Sequence, residues 1–97
     1  MPYIKKEDRA KYDEIINSIL FDIKCDKVSW SYDPKREVSM GELNYLISSI
    51  VWKLFDTAPS YTLGNNLVGM LECVKQEFYR RKLAELEDRK IKENGDI

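Results

Sequence analysis

A long proline-free stretch near the C-terminus constrains the fold of this chain more than any other feature. Apolar side chains recur every three or four residues along it, at Leu63, Leu67, Met70, Leu71, Val74 and Phe78. Asn94-Gly95 follows, a pair typical of a helix end. A helix over residues 62–93 would be ~48 Å long, whereas a domain of this size has a radius of gyration of only ~13 Å. The last turns must therefore project from the domain or pack against another chain, and we expect the second.

Two shorter amphipathic segments precede this one. Residues 6–24 carry a stripe of Tyr12, Ile15, Ile16, Ile19, Leu20 and Ile23. Residues 39–56 open with Ser39 and Glu42 at the spacing of a capping box, and Pro59 follows their end. Their stripe is Leu43, Leu46, Ile47, Ile50, Val51, Leu54 and Phe55. The sequence therefore predicts one all-α domain over residues 1–97, with three helices, a long C-terminal helix and a homo-oligomeric state.

The connector over residues 25–38 is less regular. Val28, Trp30 and Tyr32 alternate with serines, a weak sign of an extended piece, and Asp33-Pro34 indicates a turn. We expect the aromatic side chains to cover the core. A lone strand or a contact with a partner is the alternative.

Composition excludes several classes of function. Sixteen Lys and Arg against seventeen Asp and Glu give a net charge of −1, which argues against a domain for duplex nucleic acid. The chain has no histidine, so a Ser-His-Asp triad or a histidine-ligated metal is impossible. Without a nucleophile, metal or phosphate-loop motif, we expect no catalytic residues, no metal, no cofactor and no enzyme activity. The two cysteines and the absence of an apolar leader or membrane span predict a cytoplasmic protein with reduced thiols.

Some aromatic and apolar residues lie off the main stripes. Tyr45 and Trp52 fall on the side of the second helix nearly opposite Ile47. This face meets another subunit, the core of the same chain, or a ligand. On the third helix, Tyr79, Leu83, Leu86 and Lys90 form a narrow seam about 100° from Phe78, with a spacing typical of helix pairing.

Basic residues extend the apolar stripe at the N-terminal end of the first helix. Arg9 either pairs with Asp13 one turn later or serves an anionic partner. Cations of the first and third helices, rimmed by tyrosine, suit phosphate oxygens and a stacked base. The candidate ligand-binding residues are Tyr3, Lys5, Lys6, Arg9, Asn44, Tyr45, Lys75, Tyr79, Arg80 and Arg81.

Four segments together resemble a family of short uncharacterised proteins encoded by bacteriophages and bacteria. They are Met1-Pro2-Tyr3-Ile4-Lys5-Lys6-Glu7-Asp8-Arg9, Gly41-Glu42-Leu43-Asn44-Tyr45, Leu71-Glu72-Cys73-Val74-Lys75-Gln76-Glu77-Phe78-Tyr79-Arg80-Arg81 and Glu93-Asn94-Gly95-Asp96. The resemblance covers nearly the whole chain. It implies a phage-type accessory protein acting in the host cytoplasm, and by analogy small helical oligomers of that kind include sponges that trap nucleotide immune signals.

Two functions are compatible with these patterns. In the first, a homo-oligomer binds or sequesters a small anionic ligand such as a nucleotide or cyclic nucleotide. In the second, the chain is a structural or adaptor protein that docks a host or phage protein through its aromatic face.

Overall fold

The computed structural model describes residues 4–26 and 28–97, and it confirms the all-α class and the long C-terminal helix. Tyr61 to Asn94 form one uninterrupted helical stretch of 34 residues. A π-helical turn divides this C-terminal helix into α3 and α4. The elements are α1 (Ala10–Lys24), α2 (Met40–Thr57), α3 (Tyr61–Phe78), the π turn (Tyr79–Leu83) and α4 (Ala84–Asn94).

The helix starts follow from local hydrogen bonds. Residues Lys6–Asp8 form a 3₁₀ turn instead of the first turn of α1, because Asp8 N–H donates to the Lys5 carbonyl three residues back. At α2, the amide of Glu42 donates to Ser39 Oγ at 3.4 Å, which is one half of the predicted capping box. At α3, the amide of Leu63 donates to Ser60 Oγ at 3.0 Å, so Ser60 is a well-formed N-cap.

The connector folds back on the end of α1 as a small hairpin. Cys25 and Tyr32 form an isolated antiparallel bridge, and Tyr32 stacks on Phe21 with ring centroids 6.1 Å apart. Asp26 Oδ1 accepts hydrogen bonds from the amides of Val28 and Ser29, which closes the turn. The predicted extended piece is therefore limited to the bridge at Tyr32, because Val28 and Ser29 lie in a turn and Trp30 adopts a left-handed backbone with φ of 56°. Trp30 does not cover a core either, since it is 69% exposed.

Arg36 ties the connector to α1. Its guanidinium donates to the carbonyl of Ile23, and the Lys24 ammonium donates to the carbonyl of Arg36. Carbonyls of the last helical turn have no partner within the helix, and cations near them also suit the negative end of the helix dipole. The buried apolar residues of the described chain, Ile23 and Cys25, lie at this junction.

The structure divides into two units, Pro2–Ile50 and Val51–Ile97, with the boundary inside α2. In the first unit, the stripe of α1 is buried at its C-terminal end only, and Ile15 and Ile16 are exposed. In the second unit, Val74 and Phe78 of α3 are exposed as well. The sequence predicts an interior for these stripes, whereas the structure leaves much of each accessible.

The two thiols differ in their surroundings. Cys25 is buried and Cys73 is exposed, and neither is in a disulfide. No helix in the described part of the chain has both the length and the apolar character needed to cross a membrane.

Candidate functional site

The basic residues of the C-terminal helix gather around the π turn. Arg80 contacts Glu77 at 2.8 Å and Arg81 contacts the same carboxylate at 3.8 Å. Lys75 lies 3.5 Å from Glu72, one turn earlier. Two guanidinium groups therefore share one carboxylate, and their side chains stay mostly in water. Exposed pairs of this kind are weak, contributing ~0–1 kcal/mol each, so an incoming anion can compete with Glu77 for both arginines.

Tyr79 is held beside these cations by a contact further along the helix. Its hydroxyl donates to Glu87 Oε2 at 3.0 Å. This hydrogen bond, together with the negative charge of Glu87, raises the pKa of the Tyr79 phenol above its ordinary value. Tyr79 is therefore a neutral phenol at physiological pH, available for stacking but already engaged at its hydroxyl.

A surface cavity of about 620 Å³ lies on the same side of the helix. Lys75, Phe78, Tyr79, Arg80 and Leu83 line it together with Glu72, Gln76 and Glu77. Its floor is aromatic and aliphatic and its rim carries both signs of charge. The structure thus brings together Lys75, Tyr79 and Arg80 from the predicted ligand-binding set, with Arg81 next in sequence on the π turn.

The predicted residues at the other end of the chain lie in the first unit. Lys5 precedes the 3₁₀ turn, Lys6 begins it, and all of this segment is exposed. Arg9 Nε donates to the carbonyl of Ile4 at 3.0 Å, and no ion pair joins it to Asp13, although the structure describes both residues. Tyr3 lies outside the described residues. A single pocket that combines this cluster with the cations of the π turn remains a prediction.

Asn44 and Tyr45 lie in the first two turns of α2. The amide oxygen of Asn44 accepts a hydrogen bond from Ser48 Oγ at 2.9 Å, so it is occupied within its own helix. Tyr45 is 72% exposed. Of the predicted aromatic face of α2, Tyr45 belongs to the first unit and Trp52 to the second.

An apolar groove in the second unit is the feature that sequence reasoning missed. It measures about 390 Å³ and lies between the end of α2 and the start of α3, lined by Val51, Trp52, Phe55, Asp56, Gly64, Leu67, Val68 and Leu71. A Cβ on Gly64 would lie 3.4 Å from the Phe55 ring, an ordinary van der Waals contact, so Gly64 of α3 lies directly against Phe55 of α2. In the sequence, Gly64 and Val68 could have indicated this groove, because both lie next to residues of the apolar stripe predicted for the third helix.

The described residues contain no cluster of three or more metal-ligating side chains. The candidate site consists of two surfaces of the second unit: the cavity at the π turn, lined by charges of both signs, and the apolar groove between α2 and α3. The first surface presents charged and aromatic side chains, and the second presents mainly apolar ones.

These features define an all-α protein organised around a long helix with a π turn. The chain belongs to the family described as Domain of unknown function (DUF6899), which matches residues 1–97. This match agrees with the resemblance to a family of uncharacterised proteins. Neither the curated proteins nor the solved structures include a match to this chain.

Proposed function

We propose that the chain is a non-enzymatic binding protein that works as a homo-oligomer of helical subunits. The observation that carries the proposal is the exposure of large apolar side chains around the groove of the second unit, where Trp52 is 66% and Val68 is 68% exposed. Monomeric soluble proteins rarely expose contiguous apolar patches larger than a few hundred Å². Covering such a patch with another chain removes it from water at ~25 cal/mol per Å².

The particle mass in solution tests this proposal. We expect light scattering at micromolar concentration to give a multiple of the 11.5 kDa chain mass. Trp52→Glu should shift the population towards the monomer, because it places an uncompensated charge in an apolar contact. Lys53→Glu is the matched control: it introduces the same residue one position later, outside the lining of the groove. A particle of 11.5 kDa for the unmodified chain would contradict the proposal.

The cavity at the π turn favours a second role, the binding of a small anionic ligand such as a nucleotide or cyclic nucleotide. Its support is the pair of arginines that share Glu77, next to the aromatic ring of Tyr79. Guanidinium groups suit phosphate oxygens and a tyrosine ring suits a base. A phage-type accessory protein that sequesters a nucleotide signal in the host cytoplasm would need guanidinium groups for the phosphates and an aromatic ring for the base. It would need no catalytic group.

Thermal shift with a panel of nucleotides tests this second role. A ligand at a concentration of about 100 times its Kd adds ~2.7 kcal/mol of stability. The double variant Arg80→Ala and Arg81→Ala should abolish the shift, and added salt should weaken it, because charge attraction is screened over ~8 Å at physiological ionic strength. Lys92→Ala, which removes a cation from the same helix away from the cavity, should leave it unchanged. If no nucleotide shifts the unfolding temperature, ligand binding is contradicted and the alternative is an adaptor role, in which the chain docks a host or phage protein.

A further inference from the structure

The apolar side chains of the C-terminal helix fall into two sets that an ordinary α-helix would hold apart. Val74 and Phe78 belong to the set before the π turn, and the second set consists of Leu83, which ends the turn, and Leu86, which follows it. At about 100° per residue, Leu83 would lie about 180° and Leu86 about 120° around the axis from Val74. Such a helix would present two short apolar stripes on different sides, each too narrow to bind another helix firmly.

The π turn removes this offset. Over Tyr79–Leu83 the bonding pattern widens, and the amide of Ala84 donates to the carbonyl of Tyr79, five residues back. Such a turn accommodates one residue more than an α-helical turn, so everything after it is rotated back by about 100°. With that correction Leu83 lies about 80° and Leu86 about 20° from Val74. The two sets then join into one face.

The hydrogen bond between Tyr79 and Glu87 is an independent sign of this rotation. Residues eight positions apart in an uninterrupted α-helix point about 80° away from each other, whereas residues seven apart are nearly aligned. The Tyr79 hydroxyl nevertheless reaches Glu87 Oε2 at 3.0 Å. Because the π turn contains one extra residue, Tyr79 and Glu87, which are eight positions apart, are aligned as residues seven positions apart are in an α-helix.

We infer that the π turn exists to align these side chains into a single apolar face, and that this face binds the same face of a second copy of the chain. The inference rests on the proposed homo-oligomer and names the surface that joins its subunits. The face begins at the groove, where Leu71 lines the wall, and continues along the helix. Its members are Leu71, Val74, Phe78, Leu83 and Leu86, with Trp52 and Val68 beside them in the groove.

The exposed area and the flanking charges both favour a second copy as the occupant. These seven side chains expose on the order of 700 Å², close to the ~800 Å² per partner that a stable interface buries. The flanks carry both signs: Lys75 and Arg81 are cations, and Glu77 and Glu87 are anions. A face with flanks of a single sign would repel its own copy, whereas mixed flanks permit self-association.

Deletions within the π turn give the sharpest test. Deleting Lys82 removes the extra residue, so the turn becomes α-helical while Leu83 and Leu86 keep their orientation. Deleting both Arg81 and Lys82 rotates both side chains by about 100°, which brings Leu83 to about 20° from Val74 but carries Leu86 to about 80° from it, on the side away from Leu71 and Phe78. Sedimentation velocity should give the single deletion a self-association Kd close to that of the unmodified chain, and the double deletion a Kd about tenfold higher or more. The double substitution Arg81→Ala and Lys82→Ala removes the same charges at full length and should associate normally.

A second pair of variants keeps the test decisive if the double deletion does not fold. Leu86 and Ile91 are exposed alike, at 42% and 43%, but the corrected helix places Ile91 about 160° from Val74. Leu86→Lys should therefore raise the Kd, and Ile91→Lys should not. Circular dichroism confirms that each variant is helical.

The outcomes separate this inference from the proposed function. Loss of association on deleting Lys82 alone, normal association of a folded double deletion, or equal effects at Leu86 and Ile91 would each overturn the inference. In those cases the unmodified chain still assembles, so the homo-oligomer stands with a different interface. An unmodified chain of 11.5 kDa would instead refute the homo-oligomer itself.

Discussion

At the scale of single residues, the junction between α1 and the connector contains the buried apolar residues of the described part of the first unit, Ile23 and Cys25. Two amide hydrogen bonds to Asp26, together with the nearby Arg36, lower the pKa of the Asp26 carboxyl. The carboxylate is therefore charged at neutral pH and holds the turn closed. The same Arg36 satisfies a carbonyl at the end of α1, so one cation stabilises both elements.

Trp30 carries a conformational cost at this junction. Its φ of 56° lies in the left-handed region, which costs a residue with a Cβ ~1–2 kcal/mol and glycine almost nothing. The indole is mostly exposed, so shortening it removes little buried area. We expect Trp30→Gly to raise the free energy of unfolding by about 1 kcal/mol, measured by denaturant titration. Val28→Gly, at a neighbouring residue without positive φ, should give no such gain, and an equal effect of both variants would contradict this explanation.

At the scale of elements, sequence patterns predicted the helices well because each helix start depends on nearby residues. Ser39 and Ser60 precede α2 and α3 directly, and both hydroxyls accept from an amide three residues later. The 3₁₀ turn at Lys6 was not predicted, because acidic residues in a first turn suit either helix type. The π turn could have been suspected from the seam between Tyr79 and Lys90, which is displaced around the helix from Phe78. The same displacement is expected of a second binding face on a regular α-helix, so the sequence did not distinguish the two.

The two serine caps differ in geometry, and this difference predicts different energies. The hydrogen bond to Ser60 is 3.0 Å long, whereas that to Ser39 is 3.4 Å, near the limit of such bonds. Ser60→Ala should therefore cost ~1 kcal/mol of stability, and Ser39→Ala distinctly less. Chemical denaturation of both variants checks this order. If Ser39→Ala were the more harmful change, the start of α2 would depend on a bond tighter than the one observed here.

At the scale of the whole molecule, the candidate site was only partly predictable. Lys75, Tyr79, Arg80 and Arg81 are neighbours along one helix, so their proximity follows from spacing alone. The apolar groove depends on how α2 packs against α3 around Phe55 and Gly64, a tertiary contact that a hydrophobic pattern along the sequence does not show. The oligomeric state depends on contacts with another chain, which the pattern of one chain can only suggest through faces that it leaves exposed.

Thermal unfolding provides a prediction that concerns the whole assembly. A monomer that unfolds in one step has a Tm independent of protein concentration, whereas an oligomer that dissociates on unfolding is stabilised by mass action. We expect the Tm of the unmodified chain to rise steadily with concentration, because the exposed faces of the second unit are covered only in the assembly. Trp52→Glu should lower the Tm and flatten this dependence, and Lys53→Glu should preserve it. A Tm that stays constant with concentration in the unmodified chain would show that the helices are stable without a partner, and the exposed groove would then be left for a different protein.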